Sequence, residues 1–171
     1  YQQFSRNLPE VQGFELFDWL RYLYDIWKNI DEELITLSSL TGMGELMKNG
    51  CTTCFDHHYV FPRDGGDLIA AQFEAAGLIG MRMHASRGSM DLSKKDGGLP
   101  PDSVVQTIDE IMKDSVRLIE KYHDPSKGSM RQIALAPCSP FSVSAELLRQ
   151  SALLARQYHV RLHTHLCETK D

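Results

Sequence analysis

The stretch HVRLHTHL, residues 159–166, has a strict alternation that decides what kind of sheet this chain builds. Successive side chains of an extended chain point to opposite faces, so Arg161, His163 and His165 share one face while Val160, Leu162, Thr164 and Leu166 share the other. The apolar face belongs under helices, which turns the polar face toward an interior. Two earlier runs read the same way. IGMRMHASRG (79–88) sets Arg82, His84 and Ser86 against Met81, Met83 and Ala85, and MRQIALAPCSP (130–140) sets Gln132, Ala134, Ala136 and Cys138 against Ile133, Leu135 and Pro137. A fourth strand-like run, GCTTCFDHHY (50–59), precedes them.

Helical patterns separate these runs. DEELITLSSLTGMGELMKNG (31–50) opens on acids and closes on Lys-Asn-Gly, as dipole and capping arguments ask of a helix. GGDLIAAQFEAAGLIG (65–80) reads as a short helix, PPDSVVQTIDEIMKDSVRLIEKYH (100–123) as a long one whose prolines suit its first turn, and SAELLRQSALLARQYH (144–159) as one capped by Ser144. Alternating helices and strands imply βα units and a parallel sheet. A doubly wound sheet is covered on both faces and favours continuously apolar strands, so three strands with a polar or small face favour a closed (β/α)8 TIM barrel. Before the first of these helices, GFELFDWLRYLYDIWKN (13–29) reads as an aromatic-rich amphipathic helix of the core, with the alternative that one of its aromatics lines a pocket.

With 171 residues, 42% hydrophobic and 9% aromatic, the chain can bury the core of one domain, which excludes disordered and fibrous classes. Net charge is −5 with scattered Lys and Arg, so the basic stripe that nucleic-acid binding needs is missing. No apolar run reaches the roughly 20 residues of a spanning helix, and the N-terminus lacks a signal-peptide layout; no membrane partner and a cytoplasmic location are expected. In a reducing compartment Cys51, Cys54, Cys138 and Cys167 are expected as thiols.

In such barrels chemistry sits at the carboxyl ends of the strands. Those ends carry Asp56-His57-His58, Ser86-Arg87, Cys138-Ser139, and His165 with Glu168. A neutral imidazole ligates zinc and a nearby carboxylate moves protons, but an H-x-x-E pair alone equally suits a buried His beside a surface Glu. His163, one pleat deeper, is expected to support a neighbour. The Asp56-His57-His58 triplet occurs in manganese phosphoesterases, yet no companion Asp-x-Asp accompanies it, and a solvated strand end is the expectation. Cys51 and Cys54 point to opposite faces of a strand and lack a second pair, so buried thiols are expected rather than a metal or redox pair. His123 and His159 sit at helix ends and suit the dipole. The polar loop SKKDGGLPPD (93–102) reads as a lid or as a solvated connection.

Taken together, RNLPEVQGFELFDWLRYLYDIW, GCTTCFDHHYVFP, RMHASRGSMDLS with DGGLPPDSVV, ALAPCSPFSVS and RLHTHLCET resemble the amidohydrolase superfamily, within it the 8-oxoguanine deaminase and hydroxydechloroatrazine ethylaminohydrolase group. The resemblance covers essentially the whole chain and implies a (β/α)8 barrel with one divalent metal, zinc first and iron as the alternative. The implied reaction is hydrolytic deamination of a small heterocycle. On the same resemblance His165 is the metal ligand, Glu168 the carboxylate that moves protons between the attacking water and a ring nitrogen, and Gln2 a ring contact. Trp19, Arg87 and Cys138 fall where related enzymes place pocket residues. Phe17 stands where related nucleoside deaminases place a ribose-binding acid, which implies a free base, 8-oxoguanine or guanine-like. An s-triazine amino- or chlorohydrolase is the alternative.

The family's first-strand H-x-H would precede Tyr1, and its later His and Asp would follow Asp171. Residues 1–171 are therefore expected to be part of a single catalytic barrel domain, roughly strands two to five, inactive alone and homo-oligomeric when complete. A non-catalytic association module, pairing through open strand edges, is the reading outside enzymes.

Overall fold

The computed structural model describes residues 1–169. After two short 3-10 turns come α1 (Leu16–Trp27), α2 (Glu32–Lys48), β1 (Thr53–Asp56), α3 (Leu68–Ile79), β2 (Arg82–Ser89), α4 (Ile108–Tyr122), β3 (Arg131–Pro137), α5 (Ala145–Gln157) and β4 (Arg161–Leu162). The strands form one parallel sheet in the order β1-β2-β3-β4, each joined to the next through a helix. Sequence order equal to spatial order is the wall of a (β/α) barrel.

Local chemistry sets the helix bounds. Asp31, Asp67, Thr107 and Ser144 each accept a hydrogen bond from a first-turn backbone N–H of the helix that follows. At α4 the Thr107–Glu110 capping box fixes the start, so the expected helix from residue 100 is corrected: Asp102–Val104 form a 3-10 turn and Val105 is extended. The last strand is also shorter than the alternation suggested. Only Arg161 and Leu162 are laddered, although the backbone goes on tracking β3, with His163 N donating to Leu135 O (2.9 Å) and His165 N to Cys138 O (3.0 Å).

Register decides the faces. Phe55, His84 and Gln132 align across three strands, as do Ser86, Ala134 and Arg161. The His163 ring lies 4.9 Å from Phe55, on this small and polar side. The opposite side carries Met83, Ala85, Ile133 and Leu135, all buried under α3, α4 and α5. α1 contributes Leu23, Tyr24 and Trp27 to the core, with the Trp27 indole donating to Ser5 Oγ (3.1 Å).

Candidate active site

At the carboxyl ends of the strands, Gln2, the first two turns of α1, Tyr59, Leu99, the β3–α5 turn, His165 and Glu168 enclose a cavity of 240 Å³. A wider cavity of 530 Å³ lies between β1, α2 and the N-terminal turn and shares Gln2, Tyr59 and His165 with it. Both readings of the α1 aromatics hold at once: Trp27 is core, Phe17 and Trp19 line the smaller cavity, and the buried Tyr24 does both.

His165 is oriented by main chain. Its Nδ1 lies 2.8 Å from the Cys138 carbonyl, which only accepts, so Nδ1 donates there and Nε2 is the ring nitrogen left to face a ligand. Cys138 is buried, with its sulfur 4.0 Å from the same ring nitrogen, and burial pushes its thiol up to about 12. Glu168 Oε1 is buried and has no hydrogen-bond partner among the described residues. A buried carboxylate oxygen without a donor is costly, and sites that bind or transform a ligand are where such cost is met. The Gln2 amide donates to Tyr59 Oη at 3.4 Å on the same wall.

Of the residues singled out in the sequence, Gln2, Trp19, Cys138, His165 and Glu168 are brought together around this cavity. Arg87 is not among them. Alternation on β2 places Arg87 beside Leu135 on the helix-facing side. There its guanidinium is fully buried, 2.6 Å from Asp114 and 2.7 Å from Gln106, with Phe61 stacked 4.1 Å beneath it.

The expected solvated end at Asp56-His57-His58 is also corrected. His58 and Tyr59 are buried, and the His57 ring stacks on His165 at 4.3 Å with planes 10° apart. Burial, and then the neighbouring His165 and His163, holds His57 down to about 3; burial likewise takes His58 to about 3. His57 and Tyr59 are the site residues that sequence reasoning missed, although their place just past a strand's carboxyl end was the available signal. Leu99 was missed too: it reaches the cavity from the 93–102 loop.

Among the described residues, no three His, Cys, Asp or Glu side chains are grouped to hold a metal ion. Catalytic zinc sites use about three protein ligands, and the described residues bring no such set together around His165. The residues present do not make a metal centre by themselves.

Comparison with known proteins agrees with the fold. The chain is 47% identical over 171 residues to the 8-oxoguanine deaminase of Pseudomonas aeruginosa, covering 100% of this chain and 38% of that protein. It is 41% identical over 171 residues to the hydroxydechloroatrazine ethylaminohydrolase of Pseudomonas sp. strain ADP, covering 98% and 36%. A crystal structure of the atrazine chlorohydrolase from Arthrobacter aurescens TC1 complexed with zinc superimposes with a TM-score of 0.92 at 32% identity, over 97% of this chain and 38% of that one. The chain thus spans less than two-fifths of the length of these relatives, and its four strands are a run of a (β/α)8 barrel, roughly the second to the fifth. The amidohydrolase family profile matches residues 1–171, and the chain belongs to the amidohydrolase family.

Proposed function

We propose that the full-length protein is a metal-dependent aminohydrolase that removes an amino group from a heterocyclic free base, 8-oxoguanine or a guanine-like purine, and releases ammonia. The observation that carries this reading is the buried, unpartnered Glu168 Oε1 on the same cavity wall as a His165 ring whose Nε2 is left free. A flat ring in the 240 Å³ cavity would lie against Trp19, with Gln2 and Cys138 in reach of its polar edge. Glu168 takes a proton from the attacking water and delivers it to the ring nitrogen beside the amine-bearing carbon; the hydroxyl proton of the tetrahedral adduct then passes to the amine as the C–N bond breaks, which leaves a ring carbonyl and ammonia. His165 would be one ligand of a divalent metal, zinc first and iron as the alternative, and the chemistry such an ion would supply is the activation of a water. The remaining ligands would come from barrel segments outside these residues.

The substrate is a small molecule, and the complete enzyme is a cytoplasmic homo-oligomer in this reading. Among the described residues no helix is long and apolar enough to cross a membrane. The test is Glu168→Gln in the full-length protein: metal content should persist while ammonia release falls by at least about a hundredfold, the usual contribution of a positioned acid–base group. Undiminished turnover would remove Glu168 from the mechanism. A triazine hydrolase is the second reading, supported by the likeness to atrazine chlorohydrolase. Assaying ammonia against alkylamine and chloride release decides between them.

A further inference from the structure

The interior side of the sheet carries one column of rings. Phe55 meets His163 with centroids 4.9 Å apart, His163 meets His57 edge to face at 4.8 Å, and His57 lies parallel to His165 at 4.3 Å and 10°. His57 follows β1 and His165 follows β4, so two strands lie between them. The rings meet because the intervening interior positions are small: Ser86 beside Ala134, and Gly88 beside Ala136. Gly88 sets the path. Its N–H donates to the His58 carbonyl (2.9 Å), and a Cβ on it would strike that oxygen and Tyr59 Cα, so the backbone after β1 crosses the space a side chain would fill. His57 Nε2 thereby comes within 3.4 Å of the Ala136 carbonyl on β3.

The stack supplies what the hydrogen bond to His165 does not. The Cys138 carbonyl, 2.8 Å from Nδ1, selects which nitrogen of the ring points to the main chain. A single hydrogen bond leaves the ring free to swing about that contact, and the direction of Nε2 swings with it. A second ring lying parallel at 4.3 Å blocks the swing, because close-packed rings cannot turn through one another. Tyr59 bounds the same ring at its edge, centroids 5.9 Å apart at 87°. No hydrogen bond joins His57 to His165: Nε2 lies at Ala136, and the buried Nδ1 has no partner among the described residues. What His57 offers His165 is a face.

We propose that His57 is a positioning residue: its ring fixes the plane of the His165 ring, and so the direction of Nε2, through its face and not through its nitrogens. That His165 serves a deamination rests on the aminohydrolase reading above; the positioning itself rests on the stack. The experiment uses the full-length protein as purified, with crystal structures to read the His165 ring and ammonia release to read turnover. Three variants separate the contributions. His57→Phe keeps a ring without nitrogens, His57→Asn keeps a polar group without a ring, and His57→Ala keeps neither. Aromatic pairing favours the paired geometry by about three- to tenfold, so in the Ala and Asn variants the His165 ring should lose its single orientation and kcat should fall by about that factor. KM should stay within about twofold of wild type, since the ring plane bears on the reacting step. His57→Phe should keep the wild-type plane and a kcat within about twofold of wild type. A merely structural role would lower the melting temperature of the Ala and Asn variants and leave the His165 ring and kcat unchanged, which would overturn the proposal. An Asn variant that matches wild type, a Phe variant that loses the plane, or Ala and Asn variants that do not fold would overturn it as well. Wild type that releases no ammonia would overturn the aminohydrolase reading, and the ring planes in the four structures would then decide the positioning alone.

Discussion

Removing the carboxylate that faces Arg87 should destabilise the protein more than removing both charges. The guanidinium is fully buried between the β1–α3 loop, β2 and α4, with its Nε 2.6 Å from Asp114 Oδ2, Nη2 2.7 Å from Gln106 and Nη1 on the Gly88 carbonyl. Burial disfavours its charge and Asp114 opposes that effect. Arginine does not give up its proton in a protein, so Asp114→Ala leaves a buried cation without its counter-charge. Breaking a buried pair in this way costs about 3–5 kcal/mol. We expect about 3 kcal/mol, because the Asp114 side chain is 26% exposed and water can partly replace it. Loss of the outer Arg117–Asp114 contact adds only about 0.3–0.5 kcal/mol. Arg87→Met removes the buried charge and keeps an unbranched chain over Phe61. The double variant Arg87→Met/Asp114→Ala should therefore be more stable than Asp114→Ala alone, by about 1–2 kcal/mol. Urea unfolding of the four proteins in a double-mutant cycle reads both quantities. A loss below about 1 kcal/mol in Asp114→Ala, or a double variant no better than that single one, would refute the reasoning.

Gly88 admits no side chain, because a Cβ there would sit 2.0 Å from the His58 carbonyl oxygen and 2.6 Å from Tyr59 Cα, both fixed backbone; Gly88→Ala should cost about 3 kcal/mol or more by thermal unfolding, and a neutral result would mean the loop gives way. For Asp67, burial raises the carboxyl, but the Arg117 fork and the Ala70 N–H more than offset it, so the folded value lies below the unfolded one. That stability is fully present above the unfolded carboxylate range near pH ~4 and is lost as pH falls through the folded value, so the stability gap between wild type and Asp67→Asn should shrink on acidification. A gap that stays constant with pH would contradict the assignment. Burial also lifts the thiols of Cys54 to about 11 and Cys138 to about 12, whereas Cys167 is exposed. Iodoacetamide at pH 8 should label Cys167 first and Cys138 last by peptide mass spectrometry, with Cys138 labelling still accelerating above that pH; equal rates would show that the cavity wall opens.

Sequence alone determined the elements and the sidedness of the sheet. Period-two alternation in 81–86, 132–138 and 160–166 is a local property of an extended chain, so the greasy and polar faces could be assigned without a partner strand. Caps at Asp31 and Ser144 are equally local, and the motif set led to the family. The tertiary structure decided which strand-end residues face the cavity. The resemblance put Arg87 among pocket residues, while alternation on its strand already sent it to the helix side; what only packing supplied there is Asp114, 27 residues further along the chain, which neutralises it. His57 looked like a solvated end because its stacking partner, His165, is remote in sequence and arrives only when β4 docks on β3. The Phe17 and Phe141 rings, centroids 4.9 Å apart, likewise join two turns that no local pattern connects. Helix and strand formation follow from neighbours along the chain, whereas a site is made of side chains that only the packing of successive βα units brings together.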